Sequence, residues 1–354
     1  MTLVRHVATA AVLAVLLVII SSTVSPFRDY QMAEVACYVV AVAGLTVLVG
    51  LSGQISLGNG AFMAIGAYAA ALLLLHLHWP LAVVLVAALA VAAAGGAVVG
   101  VAAARLRGPY LAGATLILAV ALPSLALRYG LLGGDQGLTV VINSPGFLGP
   151  SFSLTRWQAW LTCGCALITL VLLANLARSR VGRSWRAARD DEVAAALAGL
   201  NVARLRVLAF VVSAACAGLA GALLAVTTSI VSPGAFTVTL SIGLLTAAVL
   251  GGLGTLPGAV WGSLVLVLVP TYVTDVASSH GLSSSVGSNI PVAAYGVVLV
   301  VVMLTFPDGI QGGVHRLSRP LASRLPAWPG APRRRPPGPQ FRAPASEHQE
   351  EGSL

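Results

Sequence analysis

Three short stretches hold nearly all the polar chemistry of this chain. The first, Gly50 to Tyr68, reads GLSGQISLGNGAFMAIGAY and places Ser52, Gln54, Ser56 and Asn59 among glycines inside an otherwise apolar region. An uninterrupted lipid-facing helix does not readily tolerate such a run. Unwound backbone at membrane depth is stable where protein covers it or a cavity wets it, and broken helices of this kind border transport pathways. Glycines also let two helices approach closely, with polar groups satisfied across the interface. For Gln54, Ser56 and Asn59 both readings stand, path-lining and packing. The second stretch, Ser241 to Gly262, is broken by Gly251, Gly252, Gly254 and Pro257, and the same argument applies. Two glycine-interrupted segments, one in each half, are the pattern of a pathway between related halves, although no internal sequence repeat is evident.

The third stretch is the charged run GRSWRAARDDEVAAALAGLNVARLR. Arg189, Asp190, Asp191 and Glu192 precede an alanine-rich segment containing Ala195, which Gly199 closes. Acids at the start suit the helix dipole, alanine has high helix propensity, and glycine is a common C-cap, so a short surface helix is expected. A helix of small residues fits a groove on a partner protein; the alternative is a solvated connector.

No catalytic constellation accompanies these stretches. There is no paired buried acid, no zinc spacing and no nucleophile elbow. All 20 basic residues are arginine. Without lysine the chain can form neither a Walker A loop nor a Schiff base, so any ATP hydrolysis belongs to a partner. No cofactor or metal site is expected. Cys37, Cys163, Cys165 and Cys216 all lie in apolar runs, where cysteine packs as a small hydrophobe. Glu34 and Asp275 fall near span ends, and no acid lies at the centre of an expected span, which argues against a proton-driven relay.

The elements that position these stretches are membrane helices. Of 354 residues, 58% are hydrophobic and 9% charged, and the mean hydropathy is +0.93. An ordinary soluble domain has about 25% charged residues. The expectation is an all-α, polytopic transmembrane bundle. A helix needs about 20 apolar residues to cross. Runs at Val7–Val24, Ala33–Leu51, Gly60–Leu77, Leu81–Ala104, Tyr110–Leu127, Trp157–Ala177, Val207–Thr228, Ser241–Gly254, Pro257–Val276 and Ile290–Phe306 make about ten spans. The eighth is short enough to be re-entrant. The first run is long for a cleaved signal and is read as a retained span.

Arginine placement orients the bundle. With Arg5 inside, ten crossings place 17 arginines on the cytoplasmic side, leaving only Arg28, Arg128 and Arg156 outside. The net charge of +9 therefore reflects topology rather than nucleic-acid binding. His76, His78 and Trp79 sit at an outer edge, as interfacial anchors. Residues 1–319 form the transmembrane domain, with a cytoplasmic loop at about 178–206. From Pro320 to residue 354 the composition turns to proline, arginine and small polar residues, that of a disordered cytoplasmic tail.

Taken together, these segments resemble the membrane permease of the branched-chain amino acid ABC transporters, the LivM type. The resemblance runs from about Ala33 to Gly313. It rests on GLSGQISLGNGAFMAIGAY, RGPYLAGATL with the later GGDQGL, the block from GRSWRAARDDEVAAALAGLN to AGLAGALL, then SPGAF, SIGLLTAAVLGGLGTLPGAVWG and FPDGI. It implies one half of a heterodimeric inner-membrane pore that works by alternating access. Its partners would be a second permease subunit, two cytoplasmic ABC ATPases and an extracytoplasmic solute-binding protein that delivers leucine, isoleucine or valine. The loop with Glu192, Ala195 and Gly199 resembles the segment that docks into the ATPase. Arg206 stands where the family usually has lysine, and Asp308 where a basic residue commonly follows proline. Relatives carrying urea, short amides or other amino acids are not separated from this reading by the spans. A stand-alone secondary transporter is the rival of a different class.

Overall fold

The computed structural model describes residues 25–106, 109–142, 153–279, 290–306 and 309–322, together with Leu17, Val18 and Ser21. The chain divides into a main unit, Met1–Val314, and a second, His315–Leu354. Described residues of the second unit, 315–322, are helical.

Helix α1, Pro26–Thr46, opens on a proline, whose missing N–H costs nothing where no intrahelical acceptor exists. It continues through a π turn, Val47–Leu51. Helix α1 begins seven residues before the expected Ala33 because Asp29 is sheltered within the protein. Its carboxylate is wholly buried, accepts a hydrogen bond from Ser21 Oγ at 2.8 Å and faces Arg156 Nε at 3.6 Å. An acid in a span is tolerated when paired in this way, and hydropathy alone does not reveal the pairing.

Helix α2, Asn59–Leu72, extends into a π turn at Leu73–Leu77. Then follow α3, Leu81–Ala103; α4, Pro109–Arg128; and α5, Leu154–Arg178. Two short helices, α6 (Arg180–Asp190) and α7 (Glu192–Leu197), form the charged loop. Helix α8 is Val202–Thr228, α9 Val238–Gly251, α10 Leu256–Ser279, α11 Ile290–Thr305 and α12 Gly309–Ala322. Two-residue strands β1, Leu138–Thr139, and β2, Ile230–Val231, pair antiparallel with Leu138 opposite Val231.

Eight helices are long and apolar enough to cross a bilayer, or nine if Ala293–Thr305 and Gly309–Arg316 count as one bent span. The protein is a multi-pass, all-α membrane protein. Nine of the ten expected runs lie on these helices. The first, Val7–Val24, lies outside the described residues apart from Leu17, Val18 and Ser21. The eighth run is longer than expected: a 3-10 turn at Pro233–Ala235 precedes α9, so the apolar stretch from Pro233 to Gly251 reaches 19 residues. Proline and glycine in SPGAF hide that continuation from a reading by periodicity.

Successive spans alternate in direction. One end of the bundle gathers the break at 53–58, residues 104–106, the α6–α7 elbow and the α9–α10 turn. Most of the described arginines of the main unit lie at this end, the one that the positive-inside rule makes the inner end. The β1–β2 pair and the Asp29–Arg156 pair lie at the outer end.

Helices α1 and α8 are the most enclosed spans. Lipid tails are as apolar as leucine, so helices in a bilayer associate through close van der Waals fit rather than hydrophobic burial. Here α2, α3 and α8 meet along a seam of small residues. A Cβ on Gly66 would overlap the backbone of Gly218, one on Gly221 the carbonyl of Met63, and one on Gly96 the side chain of Ala214.

Candidate functional site

The break after α1 is a real unwinding. Residues 53–58 carry no helix, and the chain climbs from the inner end into the bilayer before α2 begins. The depth follows from its neighbours. Gly60 N–H donates to Ser241 Oγ at 3.1 Å, and Ser213 Oγ donates to Asn59 Oδ1 at 3.5 Å. Ser241 is ten residues from the inner end of α9, about 15 Å at 1.5 Å per residue, half of a core about 30 Å thick. The N-terminus of α2 therefore lies about 15 Å along α9 from the α9–α10 turn, within the span rather than at its end.

Backbone groups freed by unwinding must find partners there. Leu57 N–H donates to Thr115 Oγ1 of α4 at 3.0 Å. Gly58 N–H donates to Ser56 Oγ at 3.3 Å, and Ser241 of α9 receives Gly60. Of the five buried side-chain polar atoms without a hydrogen-bond partner among the described residues, Gln54 Oε1 and Asn59 Nδ2 lie at this break. Ser241→Ala is expected to leave the Gly60 N–H unsatisfied and cost about 1–3 kcal/mol, read as a lower unfolding temperature in detergent; an unchanged temperature would contradict this satisfaction scheme.

The second glycine break is a turn. Gly252 at φ 115° and Gly254 at φ 80° adopt backbone conformations that side chains disfavour, which lets α9 reverse directly into α10. Gly254 also touches the first break, because a Cβ on Gly50 would overlap its backbone, and a Cβ on Gly251 would overlap Gly258. Gln54 and Ser56 thus lie along the unwound ascent and Asn59 opens α2 above it, while Gly251, Gly252 and Gly254 form the turn packed against its inner start.

The charged loop is an elbow tied down at several points. Trp185 is buried, and its Nε1–H donates to Leu205 O at 2.8 Å, holding α6 against the start of α8. Arg189 donates to Gly50 O and pairs with the exposed Asp190 at 2.8 Å. Asp191 caps α7, accepting from Ala194 N–H at 2.9 Å. Glu192 pairs with Arg206 at 2.8 Å, which anchors the elbow to α8. Gly199, at φ 84°, ends α7 as expected. Its N–H donates to Ala196 O and that of Leu200 to Ala195 O, each at 3.0 Å, the paired bonds of a Schellman motif.

Burial sorts the elbow into two faces. Ala195 points inward at 4% exposure, whereas Val193 and Leu197, one turn apart, are 69% and 85% exposed. Reading the sequence had singled out Glu192, Ala195 and Gly199; these shape and anchor α7, and the two apolar side chains it presents outward were missed. The signal was present as an i, i+4 apolar pair, but a six-residue helix is too short for periodicity to assign an outer face.

The family model described as "Branched-chain amino acid transport system / permease component" matches residues 27–307. The chain belongs to this permease family. It is 35% identical over 262 residues to the high-affinity branched-chain amino acid transport system permease protein LivM of Escherichia coli K12, covering 67% of this chain and 61% of LivM. It is also 35% identical over 201 residues to the LivH permease protein of the same strain, covering 54% of this chain and 56% of LivH. To the probable branched-chain amino acid transport permease protein LivH of Methanocaldococcus jannaschii it is 26% identical over 174 residues, covering 47% and 52%. The chain thus spans about 61% or less of these curated relatives. No solved structure matches. The matched region of this permease contains both glycine breaks and the whole elbow. Asp308 lies outside the described residues.

Proposed function

We propose that this chain is the membrane-spanning half of a heterodimeric ABC importer pore for branched-chain amino acids. A LivH-type permease is its partner subunit, an extracytoplasmic solute-binding protein delivers the amino acid, and two cytoplasmic ATPases supply the energy. The observation that carries the reading is the elbow at the inner end, where Val193 and Leu197 stand exposed on a helix that a tryptophan, two arginines and a glycine cap hold in place. Exposed apolar side chains on a rigid support are what a docking surface requires. The chain has no lysine for a nucleotide-binding loop of its own, which fits ATP hydrolysis in a separate chain. The elbow touches both glycine breaks through Gly50, so displacement at α7 reaches the unwound ascent where Gln54, Ser56 and Asn59 would line the solute path.

Purification from the native membrane in mild detergent, followed by mass spectrometry, tests the assembly. A second permease and P-loop ATPases are expected to accompany the chain, and labelled leucine uptake is expected to be lost on its deletion and restored by the gene. Recovery of the chain alone, where a known complex survives the same detergent, would favour a stand-alone carrier. Restoration of urea uptake without leucine uptake would overturn the substrate.

A further inference from the structure

We propose that Arg189, aimed by Asp190, is the positioning residue that carries movement of the elbow into the unwound segment, and that this pair faces the break rather than the ATPase; the role rests on the import reading above and deepens it. The end of α1 supplies the acceptor. Its π turn closes as the N–H groups of Ser52, Gly53 and Gln54 return to the oxygens of Val47, Val49 and Leu48. The last carbonyls of a helix have no partner within it and need one from outside. Arg189 Nη1 donates to Gly50 O, so a side chain of α6 completes α1 where the chain leaves the helix. Gly53 makes room for that side chain: it lies at φ 73°, and a Cβ there would lie 2.7 Å from Arg189 Cγ.

Asp190 fixes the guanidinium. Its Oδ1 accepts both Arg189 Nε at 3.0 Å and Nη2 at 2.8 Å. Two donors of a rigid planar fork are thereby held, and Nη1 is left to point at Gly50 O. The two side chains are 41% and 65% exposed, so water screens the attraction between their charges and the pair adds little to stability. Its contribution is direction.

Trp185, one turn before Arg189 on α6, grips Leu205 O of α8. The elbow thus holds α8 with one turn and α1 with the next, while Val193 and Leu197 face outward. Gly50 passes displacement on, because a Cβ there would overlap the backbone of Gly254 and no side chain separates the two. A push at Gly50 reaches the α9–α10 turn by contact, and a pull on Gly50 is carried by the Arg189 hydrogen bond.

The test uses the complex purified from its native membrane, placed in proteoliposomes with its solute-binding protein and read as leucine imported per ATP hydrolysed. Arg189→Ala is expected to lower that ratio about tenfold, the loss of one hydrogen bond from a charged donor. ATPase co-purification and basal hydrolysis should stay at wild type, since Trp185, the Glu192–Arg206 pair and the Gly199 cap still hold α7. Asp190→Ala is expected to lower the ratio less, and Asp190→Asn to keep it near wild type, because an amide oxygen can accept the same two N–H groups. Hydrogen exchange of the chain in nanodiscs gives a second readout: the amides of Gly53 and Gln54, which close the π turn, are expected to exchange faster in Arg189→Ala. A wild-type ratio, unchanged exchange or loss of the ATPase in Arg189→Ala overturns the role of Arg189. Equal impairment by Asp190→Asn and Asp190→Ala overturns that of Asp190. Failure of the import reading looks different: a wild-type complex that hydrolyses ATP without importing leucine, or a chain that brings no ATPase with it, overturns import, and the exchange readout then decides the tie by itself.

Discussion

Val193→Asp combined with Leu197→Asp is expected to abolish leucine uptake while the chain still accumulates in the membrane. Both side chains are exposed, at 69% and 85%, and share one face of α7 at i and i+4. Substitution at such surface positions costs the fold about 0.5 kcal/mol or less, so insertion and extraction should remain near wild type. In the proposed assembly the same side chains enter an apolar groove of the ATPase. Two carboxylates there would lose their water without gaining partners, a penalty of several kcal/mol per ion, or about a thousandfold or more in affinity. Co-purification of the ATPase and uptake should therefore fail together. If both persist in the double variant, α7 is not the docking element.

The residues behind that face predict a graded series. Gly199→Ala forces a side chain into the left-handed region at φ 84° and costs about 1–2 kcal/mol, although open space surrounds the position. Loss of Glu192 releases a half-exposed pair with Arg206, so its effect should be smaller than that of the double aspartate variant.

Gly66→Val is expected to eliminate folded protein. A Cβ there would overlap three backbone atoms of Gly218, and Gly218 is itself pressed against Ala92 of α3. Backbone cannot rotate aside as a side chain can, so α2 and α8 would have to separate. The neighbouring contact of Gly221 with Met63 O would be lost with it. Overpacking a closely fitted core costs about 1–3 kcal/mol even where side chains can yield, and here they cannot. Gly113 is the matched control: it lies on α4, and a Cβ there meets nothing within 4 Å. Size-exclusion profiles of detergent extracts should show a monodisperse peak for Gly113→Val and none for Gly66→Val. Equal peaks would mean the seam tolerates separation.

Much of this was legible without coordinates. Spans could be read because lipid solvation acts on each stretch of chain independently: twenty apolar residues cross wherever the chain continues. Gly199 could be read as a cap for a similarly local reason, because helix termination depends on a few adjacent residues. The two glycine breaks were visible too, since unwinding is written in local composition.

Whether those breaks line a path or pack helices was beyond sequence reasoning, because both uses select glycine and small polar residues. The three-dimensional arrangement pairs Gly50 with Gly254, Gln54 with Arg206, and Asn59 with Ser213, contacts between residues more than 150 positions apart. Such partners leave no trace in periodicity or spacing. Asp29 illustrates the same limit: the apolar run begins at Ala33, whereas the helix begins at Pro26 and buries Asp29 beside Ser21 and Arg156. Likewise, α7 could be expected from alanine content, but which of its side chains face outward was decided by how it packs on the rest of the chain, which buries Ala195 and leaves Val193 and Leu197 exposed. Local forces set where this chain crosses and turns. Long-range packing sets which polar atoms meet, and therefore where a solute or a partner can act.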